Sequence, residues 1–93
     1  MLTIVTYDIS DNTARSYFIK KLQSYGFYRI QKSVFAGYIT VDDRLNLADE
    51  IEAFLSSDND SIIIFPICNN CKSSILYDGE VNMPENDLSY RFI

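Results

Sequence analysis

The stretch FYRIQKSVFAGYIT, from Phe27 to Thr40, decides the fold. It is rich in β-branched and aromatic residues, and it is longer than the five or six residues of a typical strand. The polar tripeptide Gln31-Lys32-Ser33 in its middle predicts a tight turn. The stretch therefore reads as a hairpin, with strands near Tyr28–Gln31 and Val34–Thr40. Before it, Leu2 to Ile9 alternates as a strand: Leu2, Ile4, Thr6 and Asp8 share one face, and Thr3, Val5, Tyr7 and Ile9 the other. Ser10-Asp11-Asn12-Thr13 offers helix caps, and Ala14, Tyr17, Phe18, Leu22 and Tyr25 recur at helical spacing up to Gly26, a natural stop.

After the hairpin, Asp42 or Asp43 can cap a second helix with a buried stripe of Leu47 or Ala48, Ile51, Phe54 and Leu55. Ser56 to Asp60 reads as a polar connection. Ser61 to Ile67 (SIIIFPI) is so continuously apolar that it is expected to be a central strand ending at Pro66. A shorter strand, Ser74 to Tyr77, closes at Asp78-Gly79, and Leu88 to Ile93 is expected to form a last edge strand. The order strand, helix, strand, strand, helix, strand predicts an α+β fold, a ferredoxin-like βαββαβ sandwich with a C-terminal extra strand. The expected division is a ferredoxin-like domain over residues 1–78 and a C-terminal extension over residues 79–93.

With 93 residues, 47% of them hydrophobic and 14% aromatic, the chain suffices for one packed domain. A chain this short buries a smaller share of its surface than a large one, and the sheet face away from the helices still carries apolar residues. A symmetric second copy is the simplest cover, so a homodimer is expected. No apolar run approaches the length that spans a bilayer, and MLTIVTYDIS lacks the basic and small-residue features of a signal peptide. The expectation is a soluble cytoplasmic protein with no membrane association.

The net charge of −5 argues against nucleic acid on average, but the charges are segregated. Between Thr13 and Lys32 lie Arg15, Lys20, Lys21, Arg29 and Lys32 with no acidic residue. Between Asp42 and Asp60 lie seven acidic residues and one basic residue, Arg44. The first segment suits a polyanion; two solvated faces of opposite sign are the plainer alternative.

There is no histidine, so the commonest general base and metal ligand are missing. Any hydrolysis must rest on carboxylates, a hard metal or positioned water. Asp8 ends the first strand. If its face meets a two-fold mate, two Asp8 side chains converge, an oxygen set that suits Mg²⁺. A strand-end carboxylate that accepts turn hydrogen bonds is the other reading. Arg29 offers a planar fork for phosphate and Ser33 a hydroxyl or turn amide, while Phe35 either stacks on a base or is buried. Gly37 marks a close backbone approach or a bulge. Cys68-Asn69-Asn70-Cys71 has C-x-x-C spacing, yet a zinc site needs four ligands. A redox role wants the motif opening a helix after a strand, a context not expected here, so two reduced thiols in a turn are predicted.

The Tyr7-Asp8-Ile9 strand end followed by Arg15 resembles the start of the CRISPR-associated protein 2 family. The resemblance sharpens at Tyr25-Gly26-Phe27-Tyr28-Arg29-Ile30-Gln31-Lys32-Ser33-Val34-Phe35-Ala36-Gly37, similar to that family's Y-G followed by R-[VI]-Q-x-S-V-F-x-G. It continues through Ile62-Ile63-Ile64-Phe65-Pro66 to Cys68 and Cys71 and covers about residues 1–78. It implies homodimers formed through the sheet face, with the C-terminal segment adding a strand to the neighbouring subunit. It implies an adaptor that bridges subunits of the CRISPR integrase, CRISPR-associated protein 1, and holds double-stranded DNA for insertion as a new spacer. It also implies Mg²⁺-dependent endonuclease activity on RNA or DNA in some members, with metal on Asp8, and phosphate contact or activity at Tyr7, Arg15, Arg29, Ser33 and Phe35. Lys20, Lys21 and Lys32 complete the expected nucleic-acid-binding set. The chain departs from many relatives in having Ala36 after the S-V-F motif and an aromatic first helix, with Tyr17 and Phe18. A toxin-like metal-dependent endoribonuclease on the same fold, outside any CRISPR system, is the alternative.

Overall fold

The structure, a computed structural model, describes residues 1–81 and the backbone of residues 91–92. β1 (Leu2–Asp8) leads into α1 (Asn12–Ser24), β2 (Tyr28–Gln31), β3 (Val34–Tyr38), α2 (Val41–Glu50) with a 3-10 turn at Ile51–Phe54, and β4 (Ser61–Ile67). A one-turn helix α3 (Asn69–Lys72) and the short strands β5 (Leu76–Tyr77) and β6 (Arg91–Phe92) follow. The main sheet runs β2-β3-β1-β4, with β1 antiparallel to both β3 and β4. This is the ferredoxin-like order, two split β-α-β units interleaved. β5 and β6 pair in parallel as a separate ribbon, Leu76 opposite Arg91. Leu88–Tyr90 and Ile93, the rest of the expected last strand, lie outside the described residues.

The local chemistry explains each boundary. Asp11 caps α1 by accepting the Ala14 N–H at 2.8 Å. The helix closes where Gly26 takes φ +95°: its N–H reaches the Gln23 carbonyl at 3.0 Å and the Phe27 N–H reaches Leu22 at 3.1 Å. That crossed pair satisfies the last carbonyls, and Phe27 packs into the same core as Leu22. Gly37 allows a close approach, since a Cβ there would meet the Phe27 ring at 3.0 Å. The bulge of the hairpin falls instead between Arg29 and Gln31.

Two expectations are corrected. The cap of α2 is Thr40, whose hydroxyl accepts the Asp43 N–H at 3.1 Å, so Asp42 and Asp43 form the first turn rather than the cap. β4 is an outer strand of the main sheet, not a central one, and Pro66 lies inside it opposite Thr3. An outer strand tolerates proline because the missing N–H costs no rung on its free side. Of the predicted α2 stripe, Leu47 is buried and Ile51 and Phe54 are half-buried, whereas Ala48 and Leu55 are exposed.

Alternation along β1 creates two cores. Val5, Tyr7 and Ile9 face the helices and pack with Phe18, Leu22, Phe27, Phe35, Ile39 and Leu47. Tyr7 meets Phe18 edge-on at 5.4 Å between ring centres. On the opposite face, Leu2, Ile4, Ile30 and Ala36 gather under Ile67, Ile75 and Val81. That cover stops short: Ile63 stays 57% exposed and Phe65 37%.

Candidate nucleic-acid interface at the hairpin end of the sheet

Three pieces of chain meet where β1 ends. The first is Asp8, the last residue of β1, exposed and opposite Ser61 of β4. The second is the first turn of α1. Arg15 stands one turn in, and its Nη1 donates to the Ile9 carbonyl at 2.9 Å while Nη2 donates to Asn12 Oδ1. These bonds hold the guanidinium at the strand end instead of leaving it to wander in solvent. The third is the hairpin turn, in which Ser33 adopts φ +62°. A side chain in this left-handed region costs about 1–2 kcal/mol, so neighbouring contacts must hold it there. One of them is the Ser33 carbonyl, which accepts the Tyr7 N–H at 3.1 Å and joins the turn to the end of β1.

Together these pieces form a cleft of about 350 Å³ lined by Tyr7, Asp8, Arg15, Arg29, Lys32 and Ser33, with Ile9 and Ile19 beneath. Three cations surround one carboxylate, so the cleft attracts anions although the whole chain is acidic. Arginine forks and a hydroxyl are the donors that phosphate oxygens accept.

Three of the expected nucleic-acid contacts lie elsewhere. Lys21 faces α2 and pairs with Glu50 at 3.3 Å. Lys20 lies over the Tyr17 ring at 5.9 Å, on the exposed side of α1. Phe35 is 1% exposed and sits in the helix-side core, with the Arg29 guanidinium over its ring at 5.4 Å from the centre. A side chain so enclosed is core rather than a stacking platform for bases. The basic segment seen in the sequence is thus divided, because helix and hairpin turn its members in different directions.

A metal was expected on Asp8. Among the described residues, no three His, Cys, Asp or Glu side chains gather into a metal site, and Asp8 is the single carboxylate lining the cleft. Its exposed oxygens fit a hard cation that keeps most of its shell as water and phosphate oxygen.

One residue escaped the sequence reading. Asp60, placed in a polar connection, accepts the Ser56 N–H at 2.8 Å and the Ser10 N–H at 3.0 Å. The hydroxyls of Ser10, Ser56 and Ser57 also donate to it. These bonds, led by the backbone donors of Ser56 and Ser10, hold its carboxyl far below the ordinary carboxylate range. Asp60 thereby ties the β1–α1 turn, two residues beyond Asp8, to the entry of β4. The run Ser56-Ser57-Asp58-Asn59-Asp60 hinted at local turn bonds, but the long-range partner Ser10 left no sequence signal. The cysteine motif also departs from expectation: it does follow a strand, β4, and Cys68 caps the helical turn α3.

An α+β sandwich of ferredoxin-like order with an anion-attracting notch at the end of its first strand is the class that fold and cleft define. A family model described as CRISPR associated protein Cas2 matches residues 1–75. The chain is 40% identical over 76 residues to the CRISPR-associated endoribonuclease Cas2 1 of Archaeoglobus fulgidus, covering 82% of this chain and 81% of that one. It is 33% identical over 89 residues to the CRISPR-associated endoribonuclease Cas2 1 of Francisella tularensis subsp. novicida, covering 96% and 76%. Among solved structures, the hypothetical protein TT1823 from Thermus thermophilus superposes with a TM-score of 0.65 at 32% identity, over 73% of this chain and 82% of that one. Streptococcus pyogenes Cas2 superposes with a TM-score of 0.68 over 81% and 95%; at 21% identity it speaks for the fold alone. The chain belongs to the Cas2 family of CRISPR-associated proteins. No helix among the described residues is long and apolar enough to cross a membrane.

Proposed function

We propose that this chain is a homodimeric adaptor of CRISPR adaptation that bridges integrase subunits and helps hold double-stranded DNA for insertion as a spacer. The observation that carries the proposal is the cleft in which Arg15, Arg29, Lys32 and Ser33 surround the end of β1. Such a set grips phosphate without reading bases, as an adaptor for spacers of any sequence requires. The uncovered apolar side of β4, with Ile63 and Phe65 in register with Thr6 and Ile4, supports face-to-face association of two copies. Asp8 follows Ile4 and Thr6 on that face, so a two-fold axis nearby brings two carboxylates together.

The relatives' name, endoribonuclease, favours a second activity at the same place, phosphodiester hydrolysis on RNA or DNA. Asp8 would hold Mg²⁺, which would neutralise phosphoryl charge and lower the pKa of a bound water. In either role Arg15 and Arg29 bind and orient the phosphate, and the bonds from Arg15 to the Ile9 carbonyl and from Ser10 to Asp60 keep the strand end in place.

A spacer-integration assay with the cognate integrase tests this, run with wild type, Asp8→Ala and no added chain. Insertion that requires the chain and survives Asp8→Ala supports the adaptor. Insertion that proceeds equally without the chain overturns it. Loss of insertion in a folded, dimeric Asp8→Ala protein moves metal chemistry at Asp8 to the front.

A further inference from the structure

At the far end of the sheet from the cleft, two reactive side chains meet. Cys68 and Cys71 are both free and both exposed. Cys68 leaves β4 in extended conformation and caps α3, and its sulfur accepts the Cys71 backbone N–H at 3.3 Å. A backbone donor on its sulfur favours the Cys68 thiolate, and the helical turn that Cys68 caps brings the backbone of Cys71 up to it.

We propose that Cys68 and Cys71 form a reversible dithiol–disulfide pair, closed by a small-molecule disulfide and reopened by thiols, that pins the turn from which the open sheet face is covered. Interaction between the two side chains, with the Cys71 backbone N–H beside it, pushes the Cys68 thiol below its ordinary pKa and the Cys71 thiol above, which makes Cys68 the attacking group and Cys71 the resolving one. The Cys68 thiolate attacks one sulfur of the oxidant, forming a mixed disulfide and expelling one thiolate. Cys71 then loses its proton, attacks the Cys68 sulfur and expels the second thiolate. The chain loses two electrons and two protons, and the oxidant leaves as two thiols.

The consequence follows from what α3 carries. Ile75 and Leu76 come directly after it and Val81 beyond β5; with Ile4, Ile30 and Ile67 they line a hollow of about 240 Å³ on the face away from the helices. In the dithiol form, α3 is held by the Cys71 and Lys72 N–H bonds to the Cys68 carbonyl at 3.0 and 2.9 Å, and by the Ser74 N–H bond to Cys71 at 2.9 Å. The Lys72 ammonium lies 5.1 Å from the centre of the Tyr38 ring. All of these are exposed or partly exposed attachments, and such turns open readily. A covalent bridge across the turn removes that opening and holds the cover down.

The test treats the purified chain with oxidised glutathione and then with dithiothreitol, reading intact mass after alkylation and amide hydrogen exchange. Oxidation is expected to remove two hydrogens, leave no glutathione adduct and reverse fully. Exchange at Cys71, Lys72, Ser74 and Ile75 is expected to slow several-fold in the oxidised form. In Cys71→Ser a glutathione adduct accumulates on Cys68; in Cys68→Ser the remaining thiol reacts roughly three- to tenfold more slowly. Stable adducts on both cysteines of the wild type, covalent dimers on a non-reducing gel, or no oxidation overturn the pair. Unchanged exchange after a clean intramolecular disulfide overturns the pinning, and equal rates for the two single-cysteine variants overturn the assignment of attacker and resolver.

Discussion

The two faces of the main sheet are built from the same strands by the same alternation, yet they end differently. On the helix side, Tyr7, Phe18, Phe35, Leu22 and Leu47 enclose one another, and Phe54 lies against Phe18 at 5.3 Å between ring centres. On the other side, Ile75 and Val81 cover only one end, and Ile63 and Phe65 remain open. The difference lies in what each crossover supplies. α1 and α2 return across the same face, so each closes the aromatic core and neither can reach the other side. One face is therefore closed by the helices, and the other leaves Ile63 and Phe65 open, the side on which the proposed dimer would form.

The largest test of this contrast is Phe18→Ala. Phe18 is fully buried, so its removal should cost about 3–5 kcal/mol in a denaturant melt. A loss below about 1 kcal/mol would mean that the helix-side core is not the stabilising one. Next is Phe65→Arg on the open face. It should leave the far-UV circular dichroism intact and shift the chain to monomer in sedimentation; retention of the dimer would place the interface elsewhere. Gly37→Ala, which drives a methyl group into the Phe27 ring, should cost about 1–3 kcal/mol. Thr40→Ala, losing the α2 cap, should cost about 1 kcal/mol.

The smallest expected effect concerns acid. The folded Asp60 carboxyl lies below its ordinary value of 3.8, held there first by the Ser56 and Ser10 N–H groups. Its contribution to stability is therefore complete above about pH 4 and is lost as the pH falls from there towards the folded value. Asp60→Asn should be less stable than wild type at neutral pH, and the gap should narrow in acid titrations monitored by melting temperature. A gap constant with pH would mean that the charge plays no part.

The elements were legible because they rest on local rules. The hairpin at Gln31-Lys32-Ser33, the stop at Gly26 and the two faces of β1 all follow from patterns within a few residues. What was not legible depends on placement in space. SIIIFPI has the composition of a central strand, and its outer position follows from chain order rather than content. Tyr7, Asp8, Arg15, Arg29, Lys32 and Ser33 were each singled out in the sequence, but their meeting in one cleft needed the hairpin to be folded against β1. Lys20 and Lys21 looked equivalent to Arg15 in composition, yet helical rotation carries them to other sides. Phe35 offered either a stacking surface or a core ring, and only enclosure by Tyr7 at 6.1 Å distinguishes them. Asp60 drew no attention because its decisive partner, Ser10, is fifty residues away in the chain.

Pro66 has a consequence for the molecule in a crowded solution. Met with no fold around it, the run Ile62 to Phe65 is the kind of apolar, uncharged sequence that stacks into fibrils, and here it lies in an outer strand of the sheet with Pro66 next to it. A strand arriving from another molecule would find a missing rung at Pro66, one residue before β4 ends. Endless polymerisation along that rim is interrupted by the proline ring, which has no N–H to offer the incoming strand.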